Sequence, residues 1–357
     1  METVTFLDCI RRIPSLIEEV VRDGIPAIQR WLETTPDLQE VTEIIIVGSG
    51  TSDTAAQTAR PFVTKMSHLP VRTIVPTEFL EATYLYPENA LYLFVSQTGT
   101  STLTRHALQF VKKQGFLHVA LTESAETPLA KEAEYHLLLG CGHEEFPMRT
   151  IGYSTSAFTL MMIGLELGRS KGLISETDYQ RQLKEVEQAT THQVELVDKT
   201  LSWMEGCQQK MSQSSCILFV GSADLIGLAR EGAMKIWEIP QIASIGYEIE
   251  ESLHGPNYGY NSSHCVIVLN DHSQNEQKLL SLARYTKDIK KNGYVLGETV
   301  IDKHDLQFDI RNHDFKFLEF SIVIQVIAYK LALFVGRDMV SPHDNSVMYS
   351  YFTTHDN

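Results

Sequence analysis

The sequence predicts an α/β protein made of two modules, each a parallel sheet sandwiched between helices. Three observations predict it. Short apolar, β-branched runs stop in small polar turns, and helical periodicity follows each turn. The strand–turn–helix pattern starts again near Cys216, after a stretch with no strand signal. The chain has 357 residues, long for one domain and comfortable for two. Alternating strands and helices imply parallel sheets covered on both faces.

The elements follow in order. Residues 1–40 read as an amphipathic helical lead-in, with Ile10, Ile13, Leu16, Ile17, Val20 and Val21 at helical spacing, ending near Pro36. Residues 41–170 form the first module. Glu43-Ile44-Ile45-Ile46-Val47 is a buried strand, Gly48-Ser49-Gly50-Thr51-Ser52 its turn, and 53–66 the helix. A second unit repeats this: strand 91–95, small polar turn 96–101, helix 102–113. Strands at 117–121 and 135–139 and a long apolar helix at 154–168 complete the module. Residues 171–215, rich in Glu, Gln and Lys, read as a helical linker. Residues 216–357 form the second module, with strands at 216–220, 265–269, 294–296 and 308–310 and a long apolar helix at 317–334. The repeat is architectural, with little residue identity between the copies.

Charge and composition narrow the function. The formal net charge is −15, with no Lys/Arg-rich run, which argues against nucleic acid and anionic membranes as partners. An anionic ligand must therefore be held by a local device. No signal peptide is read at the N-terminus, and no apolar run is read as a membrane span, so the expectation is a cytoplasmic protein. Five cysteines, an odd number with no CxxC, predict reduced buried thiols in place of a disulfide framework or a zinc site.

Four stretches carry candidate chemistry. Ser96-Gln97-Thr98-Gly99-Thr100-Ser101-Thr102 follows a strand and opens a helix. Backbone N–H groups at a helix start, joined by several hydroxyls, make an uncharged phosphate cradle. Helix capping is the competing reading, but one hydroxyl suffices for a cap and five stand here. The turn at Gly48–Ser52 is similar. Asp53 stands where a dinucleotide fingerprint needs its third glycine, and the lysine of a P-loop is absent. Both turns belong at the carboxyl ends of parallel strands, where such folds bind ligands. Third, Glu231, Lys235 and Glu238 fall at i, i+4 and i+7 on one helix face. A solvated salt-bridge stripe is the plain alternative. The functional reading places the stripe near the strand-end crevice, with Lys235 fixed by carboxylates and Glu238 free as a base. Fourth, His254 precedes Gly255-Pro256, a turn that displays a titratable imidazole; an ordinary surface histidine is the alternative.

These residues, in this order, resemble the sugar isomerase (SIS) domain family. Within that family the sequence resembles the isomerase half of glucosamine-6-phosphate synthase and the fructose-amino-acid 6-phosphate deglycases. The resemblance runs from about Glu43 to the C-terminus. It rests on Gly50-Thr51-Ser52, Ser96-Gln97-Thr98-Gly99, Ser154-Thr155, Glu231-Gly232-Ala233-Met234-Lys235 with Glu238, and His254-Gly255-Pro256. It implies that Thr51, Ser52, Ser96, Gln97, Thr98 and Ser101 bind phosphate and sugar, and that Ser154 contacts the sugar. It implies Glu238 as the base that moves a proton between C1 and C2. It further implies His254 as the ring-opening histidine, supplied by the neighbouring subunit of a homodimer with shared active sites. No metal or organic cofactor is implied.

The departures from the family pattern shape the expected reaction. Cys9 lies in the helical lead-in, so no glutaminase chemistry is expected. Thr100 stands where the synthase carries Glu, and Ser156 where it carries Lys. The synthase ends with a lysine that forms a Schiff base. Residues 339–357 contain no lysine, and Pro342-His343-Asp344-Asn345 is the counterpart of its Pro-Arg-Asn. A substrate that already carries nitrogen does not need that amine. The expected function is therefore a deglycase that cleaves a ketosamine 6-phosphate to hexose 6-phosphate and free amine. The alternatives are an amino-sugar-phosphate isomerase/deaminase and a non-catalytic sugar-phosphate sensor. Glu238 and His254 together argue against the sensor, because binding alone does not need an acid–base pair.

Overall fold

The structure is a computed structural model that describes residues 4–35, 38–340 and 344–355. Two compact units are present. The first comprises Ser15–Leu183 with His343–Asn357, and the second Met1–Pro14 with Lys184–Pro342.

The first unit holds β1 (Glu43–Gly48), β2 (Val71–Ile74), β3 (Ala90–Val95), β4 (His118–Thr122) and β5 (Tyr135–Leu138). All are parallel, in the order β2-β1-β3-β4-β5. β3 and β4 are buried along their whole length and β1 from Ile44 onward, as expected for strands covered on both faces. Ile45, Val47, Tyr92, Phe94 and Ala120 pack with Phe79, Leu108 and Val111 into one apolar cluster. Each fully buried large aliphatic side chain contributes about 1.5–3 kcal/mol.

The second unit holds β6 (Cys216–Gly221), β7 (Ser244–Glu248), β8 (His264–Asn270), β9 (Gly293–Gly297) and β10 (Leu306–Gln307). The order is β10-β9-β8-β6-β7, again all parallel. Counted from each unit's own first strand, both sheets read 2-1-3-4-5. The architectural repeat expected from the sequence is therefore present, although the second strand of each sheet was not foreseen. β2 and β7 are edge strands of four and five residues, mostly half-exposed, so neither carries a long apolar run. The last strand is also displaced, to Leu306–Gln307. Phe308 and Ile310 are buried, but Ile310 N–H donates to the Glu298 side chain (2.7 Å) and not to a strand.

The helical lead-in consists of helices Phe6–Glu19 and Ile25–Thr34, joined by a π turn at Val20–Gly24. Pro36, expected to end it, lies outside the described residues. The middle of the chain is helical, as Glu176–Met204 and Gln208–Ser212. One helix, Lys316–Phe334, is long and apolar enough to cross a membrane, which corrects the expectation that no run approaches a span. Its residues from Phe317 to Ala328 are all buried within the second unit, which makes it a core helix. The cysteines are free, and all are buried except half-exposed Cys216. Burial pushes the Cys141 and Cys207 thiols up to about 12, so they stay protonated and unreactive near neutrality.

Candidate functional site

The candidate phosphate turn is built where the strand order reverses. Gly48 of β1 is in register with Val95 of β3, so the turns that follow the two strands are neighbours at the carboxyl edge of the first sheet. Thr51 and Ser52 open helix Thr51–Ser67 and are half-buried. Ser96 and Gln97 are buried, while Thr98, Thr100 and Ser101 are half-buried at the mouth. Thr98 Oγ1 lies 2.9 Å from Thr100 Oγ1, and Ser101 Oγ lies 3.0 Å from Thr104 Oγ1. An anion seated over the turn meets hydroxyls that bond to one another and, at Thr100, to His355 Nδ1. The turn itself contains no lysine or arginine.

Gln97 is held from below. A Cβ at Gly152 would sit 1.8 Å from Gln97 Oε1, so only glycine lets helix Ile151–Ser170 accept the amide this closely. Gln97 Nε2 is buried and has no hydrogen-bond partner among the described residues. Such a donor is costly to leave unpaired, which fits a ligand that accepts from it. Ser154 is fully buried near the start of the same helix, so its hydroxyl is not displayed on the surface.

The sequence reading missed Glu144. Its buried carboxylate accepts from Thr150 N (2.6 Å), Thr150 Oγ1 (3.0 Å), Ile151 N (3.0 Å) and Gly152 N (3.0 Å). It thereby caps helix Ile151–Ser170 with an internal anion and fixes Gly152 under Gln97. A glutamate seven residues before a helix start is outside the usual capping spacing, so no local signal marked it.

The second unit carries the carboxylate–lysine stripe on helix Ile226–Glu238. Glu231 and Lys235 are buried. Lys235 Nζ donates to Glu238 Oε2 (2.5 Å) and lies 3.3 Å from Glu231 Oε1. The stripe is thus no solvated face. Gly232 permits this burial, since a Cβ there would lie 3.1 Å from Ile324 and 3.2 Å from the Phe219 ring. Glu238 was expected to be free, but it is tied to Lys235 and its side chain is about one-third exposed (34%). It also stands at the opposite end of the helix from the strand-end crevice, about 18 Å along the axis from Ile226. Trp237 Nε1 beside it donates to Ser244 O (2.8 Å), at the amino end of β7.

His254 is placed elsewhere. It follows the carboxyl end of β7 and the short helix Ile249–Leu253, and its side chain is 73% exposed. Its Nδ1 lies 2.8 Å from Glu250 O, and Glu250 pairs with Lys278 in the first turn of the helix after β8. Glu238 and His254 therefore sit at opposite ends of β7, whose five residues span about 13 Å. The fold does not bring them together within this unit.

The comparisons bear on the family and the fold. Residues 37–167 match the family model for the SIS domain. That stretch covers most of the first module. Among curated proteins, the chain is 26% identical over 352 residues to glutamine–fructose-6-phosphate aminotransferase (isomerizing) of Xanthomonas campestris, covering 94% of this chain and 56% of the relative. It is 24% identical over 341 residues to the enzyme of that name from Haemophilus ducreyi, covering 91% and 54%. The chain thus spans about half the length of the curated relatives it matches. The C-terminal domain of glucosamine-fructose-6-phosphate aminotransferase from Francisella tularensis shares the fold, with a TM-score of 0.84, 19% identity and coverage of 94% of this chain and 97% of that one. The second sheet repeats the strand order of the SIS domain, so the fold is that of two SIS modules.

Proposed function

We propose that this SIS protein is a cytoplasmic phosphosugar enzyme that cleaves a ketosamine 6-phosphate to hexose 6-phosphate and free amine. One observation carries the reading. A hydroxyl-lined turn stands at the switch point of the first sheet, with the buried Gln97 Nε2, unpartnered among the described residues, beside it. Ser96, Gln97, Thr98, Ser101, Thr51 and Ser52 hold the phosphate and sugar. Glu238, oriented by Lys235 and Glu231, takes the proton from C1 of the ketosamine and returns it to C2. The product is an imine at C1, and water splits it into the aldose phosphate and the amine. No lysine is needed for a substrate that already carries nitrogen, and the segment that packs on the turn, 344–355, has none.

The shared-site homodimer belongs to the same proposal. Glu238 and His254 occupy opposite ends of one sheet, so a histidine that opens the ring near Glu238 comes from a second copy. Mixing Glu238→Gln chains with His254→Ala chains, each inactive alone, restores part of the activity in this reading. No recovery after proven subunit exchange sinks it.

The chemistry is tested with a panel of fructosamine and aminosugar 6-phosphates, reading hexose 6-phosphate and released amine. Glu238→Gln lowers turnover by about 10²–10⁴-fold while hexose 6-phosphate still binds, and solvent deuterium enters the product at C2. Turnover of aminosugar phosphates alone marks an isomerase/deaminase. Tight binding with neither turnover nor proton exchange marks a sensor.

A further inference from the structure

The C-terminal segment lies on the phosphate turn of its own unit. Ser101 and His355 form an antiparallel bridge, and Thr102 N–H donates to Thr354 O (3.1 Å). The bridge brings the His355 imidazole to the turn. Its Nδ1 lies 3.1 Å from Thr100 Oγ1, which lies 2.9 Å from Thr98 Oγ1. Three polar groups thus stand in line, His355, Thr100 and Thr98. The last is one of the hydroxyls assigned above to the phosphate.

Each hydroxyl has a single proton, and the direction of the line decides where those protons point. With no proton on Nδ1, the ring accepts from Thr100. Thr100 oxygen then accepts from Thr98, and the Thr98 proton is turned away from the ligand. With a proton on Nδ1, the ring donates to Thr100, Thr100 donates to Thr98, and the Thr98 proton is left for an acceptor outside. A phosphate dianion offers only acceptors, so it is served by the second arrangement alone. The cation on the first turn of the adjoining helix, Arg105, is committed to Glu132 and does not supply this function.

We propose that His355 is a positioning residue of the phosphate site: donating from Nδ1, it turns the Thr100–Thr98 hydroxyl pair so that Thr98 donates to a bound phosphate. This deepens the reading of the 96–102 turn and rests on it. The test is titration calorimetry of the full chain with glucose 6-phosphate and with inorganic phosphate. His355 is exposed, so its variants fold, and a urea midpoint checks this. His355→Ala weakens both ligands about three- to tenfold, the size of one neutral hydrogen bond. His355→Asn supplies an amide N–H in place of the ring donor and restores affinity to within about twofold. In a Thr100→Val background the line is already cut, so His355→Ala has no further effect. Unchanged affinity in His355→Ala, or an equal loss on top of Thr100→Val, overturns the inference. Ser96→Ala is measured alongside. A loss there with none at His355→Ala removes the tail's role and leaves the turn as the phosphate site, whereas no loss in either removes both.

Discussion

The turns at the switch points of the two sheets share one topology and hold opposite chemistry. In the first unit, the turns after β1 and β3 present hydroxyls, and in the proposed function the negative charge is brought by a ligand. In the second unit, the equivalent turns follow β6 and β8, and Asp271 there pairs with Lys316 at the start of helix Lys316–Phe334. Buried Asp271 accepts from Ser222 Oγ (2.7 Å) and from Lys316 Nζ (2.7 Å). Burial pushes the Asp271 carboxyl up, but the Lys316 charge and the hydrogen bonds from Lys316, Ser222 and Ser273 outweigh it and hold the group below its usual 3.8. An internal carboxylate thus stands at the end of β8 in one module, where the other has Ser96 at the end of β3. A repeated fold keeps the crevice; the side chains at the strand ends decide whether it binds or merely stabilises.

This contrast can be broken at several points. The largest effect is expected at Asp271→Ala, which leaves Lys316 without its buried partner. Urea unfolding should show a loss of about 3–5 kcal/mol, and a loss below about 1 kcal/mol would mean that the pair is not structural. Next is Ser96→Asp, which gives the first module the carboxylate of the second. Glucose 6-phosphate affinity should fall by about 100-fold or more through like-charge repulsion, and calorimetry that finds normal binding would separate the turn from the phosphate. Ser96→Ala and Thr98→Ala remove one donor each to a charged ligand. Each should lower affinity by about ten- to a hundredfold, read in the same titration, with no change expected for a hydroxyl that only caps the helix.

The smallest effect concerns pH. The folded pKa of Asp271 lies below its unfolded value, so its contribution is present above about pH 4 and is lost as pH falls through the folded value. The urea midpoint of the native chain should therefore drop between pH 6 and pH 3 by more than that of Asp271→Asn. Equal drops would show that the Lys316 pair does not hold the carboxyl down.

The interior strands and both long apolar helices were legible because they are buried on every side, and burial writes itself as continuous Ile, Val, Leu and Phe. β2 and β7 were not, because an edge strand needs only one apolar face and four or five residues give too short a pattern. The hydroxyl-rich turn was legible as a turn for a local reason: strand end, turn and helix start are contiguous, so the 96–102 segment carries its own geometry. The stripe Glu231, Lys235 and Glu238 was legible as one helix face, but its burial was not.

The sequence by itself determined the fold class and the repeat, and it supplied the hydroxyl-rich turn and the carboxylate–lysine stripe as candidates. Those follow from neighbours along the chain, where spacing fixes direction. Tertiary structure alone decided that Lys235 holds Glu238, that Glu238 and His254 stand at opposite ends of a sheet, that Glu144 caps the helix beneath Gln97, and that His355 reaches Thr100 across 255 residues of sequence. Each of these depends on where a helix or tail comes to rest after packing, and a position reached through space leaves no period in the sequence.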